Sequence, residues 1–400
     1  MKALKVVYCG VFFALIATPL LYFTSLKEDW TKIYGWESYP PVAPLTYTNY
    51  TSRAFQTSFT EDFSKRFFLR KTLLRTSYQL REWMNFGTFH YGYACSILDG
   101  RDGVLFERPY TSFHLTIDNP LPKERFKDVL DTVSEMDAFC KTNGIAFIFY
   151  PQADKPQLYP EYLPKWFDWF WTYENRHVQA ELVAWFKERG ILAMDGNRYM
   201  LDLKPTFEKW VYPPGGTHFN AYGCGLLYEG FLKEFVDTGI LKMKANRFVR
   251  AELAKPQWYA DSELLNIWDN PHLRTNIHYA PVFDSTNEVM NAGSMLTVGD
   301  CYRNQIRTIF QNAKFFEPSK IMSAPRGTEQ TPDSYRKLAG DLKIVMLVYQ
   351  SFNTGKMDQR NDELKAIFKA IRTAVLESRR STSASSSETS SLVDVKQACP

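Results

Sequence analysis

The sequence has no C-x-x-C pair, no internal repeat, and only six cysteines in 400 residues. That count is too low for a disulfide scaffold of this length, and the Cys/His spacings match no zinc site. No metal or cofactor is expected. Charge of one sign is also lacking: 48 basic against 44 acidic side chains leave a net +4. No basic patch dominates, which argues against nucleic acid as a partner. Hydrophobic residues, by contrast, make up 45% of the chain and aromatics 16%. This is ample for a buried core of one large domain or two ordinary ones.

One long apolar run is present, at the N-terminus. Lys2 and Lys5 precede an almost unbroken stretch from Val6 to Phe23, followed by Lys27, Glu28 and Asp29. The length suffices to span a bilayer, and the positive flank predicts a cytoplasmic N-terminus with the rest of the chain outside. The run is longer than a signal-peptide core and no small-x-small site follows it, so residues 1–26 read as an uncleaved signal anchor, with a cleaved signal as the alternative. Cys9, inside the run, has no lipobox-like context.

Residues 27–60, rich in Pro, Tyr and Thr, read as an extended linker, and 63–83 as a basic helix. Together with the following residues to 90 they form a segment between membrane and domain. ACSILDGRDGVLFER (94–108) reads as a β-hairpin around a Gly/Asp turn. Pro122 and the spacing of Phe126, Val129, Leu130, Val133 and Met136 predict a helix ended by Gly144. IAFIFYP (145–151), ILAMDG (191–196), SMLTVGD (294–300) and DLKIVMLVY (341–349) read as buried strands, with helices at ELVAWFKERG and AYGCGLLYEGFLKEF. This alternation predicts an α/β domain over 91–375 with a parallel sheet, its chemistry at the carboxyl ends of the strands. The Ser-rich tail, 376–400, reads as disordered.

Two places carry candidate chemistry. His218 lies in GGTHFNAYG, just before a helix; Cys301 lies in LTVGDCYRNQ, directly after a strand. A nucleophile at a strand-to-turn junction is exposed and close to backbone amides. With ILDGRDGVLFE and FIFYPQADKPQLYPEYLP, which carries Lys155, these segments stand in the order found in the alginate O-acetyltransferase family of SGNH-hydrolase-like proteins (the AlgX/AlgJ type), which the chain resembles from about Phe63 to Asn353. GGTHFNAYG is similar to that family's Asp-Thr-His-Trp-Asn motif, and LTVGDCYRNQ to its Gly-Asp-Ser motif. The resemblance implies a three-layer α/β/α fold with a central parallel sheet. It also implies acetyl transfer onto exopolysaccharide outside the cytoplasmic membrane, facing the periplasm, with a multi-pass membrane O-acyltransferase on the donor side. In the family, the Asp and His of the first motif and the Ser of the second form a triad.

Only the His is kept here. Gly216 stands at the Asp position and Cys301 at the Ser position, while Asp300 is retained. The last strand ends in Tyr349-Gln350 where relatives often carry an acidic-Arg pair. A Ser hydroxyl needs a base backed by a carboxylate, whereas a thiol, with a reference pKa near ~8.5, can ionise beside a His alone. A Cys301/His218 dyad is therefore chemically coherent, with Asp284 or Asp300 as substitute carboxylates. The Tyr302 backbone N–H is the expected oxyanion donor, with Arg303 or Asn304 as side-chain candidates. Two readings stand beside acetyl transfer: a non-catalytic glycan-binding or scaffold protein of a polysaccharide export complex, and a carbohydrate esterase. A Cys301–Cys224 disulfide would block the nucleophile.

Overall fold

The computed structural model describes residues 42–66, 97–116, 120–165, 167, 178–254, 278–284, 288–325 and 331–393. The expected signal anchor at 1–26 and residues 67–83 of the expected basic helix lie outside them. Among the described residues no helix is long and apolar enough to cross a membrane.

In chain order the elements are α1 (Tyr47–Thr51), α2 (Ala54–Arg66), β1 (Ile97–Asp99), β2 (Leu105–Glu107), α3 (Arg108–Thr116), α4 (Lys127–Thr142) and β3 (Ala146–Phe149). The single-turn α5 (Lys155–Leu158), α6 (Val178–Glu188), β4 (Leu192–Ala193), α7 (Gly196–Leu203) and α8 (Ala221–Phe231) follow. The chain continues through β5 (Phe248–Leu253), β6 (Tyr279–Phe283), β7 (Ser294–Gly299), α9 (Tyr302–Asn312), β8 (Ile321–Ser323), α10 (Asp333–Ala339), β9 (Leu342–Val348), α11 (Ser351–Thr354) and α12 (Asn361–Val393).

The expected hairpin is β1–β2, with Ile97 opposite Glu107. Its DGRDG turn puts Asp102 and Gly103 at φ 56° and 70°, the left-handed region that Gly and Asp tolerate best. The expected helix after Pro122 is α4, whose Val129, Leu130, Val133 and Met136 are buried. The central sheet has the order β4-β3-β9-β7-β8, and every pairing in it is parallel.

Alternation along the strands separates two cores. Phe147, Phe149, Leu296, Val298, Val345 and Leu347 face one layer with α4, α6, α10 and α12. Ile148, Tyr150, Met295, Ile344, Met346 and Val348 face the other, with α8, α9 and the β5–β6 hairpin. Both sheet faces are covered, which is why the strands read as continuous apolar runs. The result is the three-layer α/β/α arrangement expected.

Two expectations need correcting. Tyr47–Thr51 and the stretch from Ala54 onward are helical, not an extended linker: Pro44 is the last proline before them, and Thr46 caps α1 by accepting from the Asn49 N–H at 3.2 Å. The Ser-rich tail is helical as far as Val393. Leu364, Ile367, Phe368, Ile371, Ala374 and Val375 bury one face of α12 and nucleate it, and each further residue then adds a hydrogen bond at little cost. No Pro or Gly interrupts residues 361–393.

Candidate active site

The carboxyl ends of β3, β9 and β7 meet where the strand order reverses, because β3 leads outward to β4 and β7 leads outward to β8. The edge is extended by a parallel bridge between Gln152 and Gln350. Gly299 ends β7 at φ 132°, and a Cβ there would lie 1.8 Å from the Val348 carbonyl oxygen. Only glycine lets β7 approach β9 this closely, and the approach sets Asp300 into the edge.

Asp300 is buried, and all its hydrogen-bond donors come from that edge. Oδ1 accepts from the Tyr302 backbone N–H at 3.0 Å. Oδ2 accepts from the Gln350 N–H at 2.9 Å and from Asn353 Nδ2 at 2.8 Å. Burial raises the Asp300 carboxyl above its ordinary value, while these hydrogen bonds and the nearby His218 pull it back down. The Gln350 backbone thus serves Asp300 at the place where the expected acidic-Arg pair is absent.

Cys301 follows, half-buried, at the start of α9, and its carbonyl accepts from the Asn304 N–H at 3.1 Å. Cys301, Cys140 and Cys224 are reduced, so no Cys301–Cys224 disulfide forms. His218 precedes α8, whose cap is Asn220: Asn220 accepts from the Gly223 N–H at 3.0 Å and donates to the Trp210 carbonyl at 2.6 Å. The His218 ring lies 4.8 Å, centre to centre, from that of Tyr302, and its Nε2 is shielded from solvent. The Tyr302 hydroxyl donates to the Thr217 carbonyl at 2.6 Å, joining residues 85 apart in sequence. The two motifs therefore pack directly, with Tyr302, the neighbour of Cys301, against His218.

The other candidates fall differently. Gly216 contributes only backbone here, its carbonyl accepting from Lys155 Nζ at 2.9 Å. Asp284 sits at the end of the β5–β6 hairpin, exposed, and caps the Arg247 N–H at 2.8 Å. Asp300 lies near enough to His218 for the imidazole charge to lower its carboxyl pKa, but its hydrogen bonds all go to Tyr302, Gln350 and Asn353. The Tyr302 N–H is directed to Asp300, not to open space, which corrects its expected oxyanion role. Arg303 is buried and spent on carbonyls: those of Gly299, Asp300 (2.9 Å) and Ala324 (2.8 Å). Asn304 stays half-buried in the first turn of α9.

Sequence reasoning missed Tyr110 on α3. Burial, then Glu107, Cys301 and Asp300 nearby, push its phenol well above the ordinary value, so it remains an O–H donor at neutral pH. Asn353 was missed too, and no spacing or motif marks either residue; Gln350 was noted only as a departure from relatives, not as a partner of Asp300. Among the described residues no cluster of three His, Cys, Asp or Glu side chains could hold a metal ion.

No protein-family model matches the chain, and no curated protein matches it. Among solved structures, it is similar to the O-acetyltransferase domain of Pseudomonas putida AlgJ, with TM-score 0.46, 14% identity and coverage of 68% of this chain and 98% of that one. Similarity to Pseudomonas aeruginosa AlgX has TM-score 0.46, 12% identity and coverage of 70% of each chain. Bacillus cereus PatB1, solved with a sulfonyl adduct, gives TM-score 0.41, 14% identity and coverage of 64% and 94%.

Proposed function

We propose that the chain is an anchored, extracytoplasmic O-acyltransferase that moves acetyl groups onto exopolysaccharide hydroxyls of the alginate type. Cys301 would be the nucleophile and His218 the base. The observation that carries this reading is the packing of the His218 ring on Tyr302, which brings the two motifs to one strand edge. Cys301 attacks the acetyl carbonyl of the donor, and the donor's alcohol leaves with the proton held by His218. A sugar hydroxyl then attacks the thioester, gives its proton to His218, and releases the thiolate. The donor side is a multi-pass membrane acyltransferase. With water in place of the sugar, the same acyl intermediate gives an esterase.

A second reading is favoured by the occupied donors. With the Tyr302 N–H and Arg303 both committed internally, the site serves as a glycan-binding scaffold without turnover. Quenched incubation with p-nitrophenyl acetate and an oligosaccharide, followed by peptide mass spectrometry, separates the two. The transferase reading expects one acetyl group on the Cys301 peptide, lost in Cys301→Ala and passed to the sugar. Oligosaccharide retained by a chain that is never acetylated overturns it in favour of the scaffold.

A further inference from the structure

Among the described buried charged groups that the mechanism does not use, Lys155 has the most connected surroundings. Lys155, 4% exposed, begins α5 just beyond the carboxyl end of β3. Its Nζ donates to the carbonyls of Leu105, Pro213 and Pro214 at 2.7 Å each and of Gly216 at 2.9 Å. An ammonium has three N–H bonds, so four carbonyls share them. Four oxygens converging on one point are the coordination a monovalent cation takes, and here the cation is tethered to the chain. Three of the four belong to the turn Pro213–Gly216, which ends two residues before His218; the fourth is on β2. The Leu105 N–H also donates to the Pro214 carbonyl at 2.8 Å, so hairpin and turn are joined twice.

We propose that Lys155 is a positioning residue: a tethered cation whose carbonyl cage clamps the 213–216 turn to the β1–β2 hairpin and thereby holds His218 against Tyr302. The turn has no carboxylate of its own at Gly216, so its backbone dipoles are organised by a positive centre from another element. Opposed charge and dipole in a low-dielectric interior hold each other strongly, and replacement by a neutral side chain leaves the four carbonyls facing one another. The functional meaning rests on the reading of His218 as a site residue, but the clamp itself does not.

The test therefore reads the environment of His218, not turnover. In protein labelled at histidine, the His218 ring protons should carry a ring-current offset from Tyr302, identified by its loss in Tyr302→Leu. Lys155→Met keeps an aliphatic stem beside Phe106, whose ring centre lies 5.5 Å from Nζ, and removes the donors. The expected result is loss of the offset with far-UV circular dichroism unchanged. An unchanged offset overturns the proposal. Should Lys155→Met fail to fold, Lys155→Ala refolded with ethylammonium or with ethanol decides the matter. Recovery of the offset with ethylammonium alone supports the clamp; equal recovery with both, or with neither, overturns it. An inactive protein that keeps the Lys155-dependent offset would sink the catalytic reading and leave the clamp standing.

Discussion

Asp300 joins three donors, from the segment just after β9, from α11 and from the first residue of α9, and it does so as a carboxylate with two accepting oxygens. Asp300→Asn keeps one acceptor and turns an NH₂ toward donors that need an oxygen. The expected loss is about 2 kcal/mol, the cost of buried donors left without partners, measured by urea unfolding. The pH dependence has a definite sign. The folded-state pKa is raised by burial, so the folded chain keeps this proton where the unfolded chain has released it. Its contribution to stability is full below the ordinary aspartate range and is lost as pH rises through the raised value. The stability gap between wild type and Asp300→Asn should shrink across that acid window and then stay level. A gap that widens with pH would contradict the burial argument. Gly299→Ala should be harsher, because its Cβ would meet the Val348 carbonyl at 1.8 Å. We expect loss of cooperative unfolding, and a fully folded Gly299→Ala would show that β7 can retreat. His218 and Cys301 were legible in sequence because their neighbours form motifs. Lys155 was legible only as a member of the FIFYPQADKPQLYPEYLP segment, not as a clamp, because it bonds to backbone carbonyls, which every residue carries. Tyr110 was not legible, because only the tertiary fold brings it near Asp300.

At the level of elements, hydrophobic pattern gave β3, β4, β7 and β9 and the helices α4, α6 and α8. It missed β8, which is three residues long, and the β5–β6 hairpin, where β5 buries every third residue rather than every second. α12 shows the opposite error: composition pointed to disorder, whereas the apolar stripe of its first half sets a helix that continues through the serines. Its hold on the sheet runs through Phe368, whose ring meets Phe147 edge-on at 5.9 Å. Phe368→Ala should cost about 3–5 kcal/mol, seen as a lower urea midpoint at unchanged slope. A loss below about 1 kcal/mol would mean that α12 is not anchored by this contact.

For the whole molecule, alternation of strands and helices announced an α/β fold with a parallel sheet, but not that the last strand, β9, would lie in the middle of the sheet. That insertion is decided by long-range pairing of β9 with both β3 and β7, and it is what brings Gln350 and Asn353 to Asp300. The proposed topology has its own check: a reporter fused near residue 60 that works only outside the cytoplasm should be active, and activity of a cytoplasm-only reporter there would reverse the orientation. The central claim, that Cys301 and His218 act as nucleophile and base, is tested most directly by the rate at which iodoacetamide modifies each cysteine at neutral pH, followed peptide by peptide in wild type and in His218→Ala. The account predicts that Cys301 reacts much faster than Cys399 and that His218→Ala removes the excess. A Cys301 rate no higher than that of Cys399, or one indifferent to His218, would contradict it.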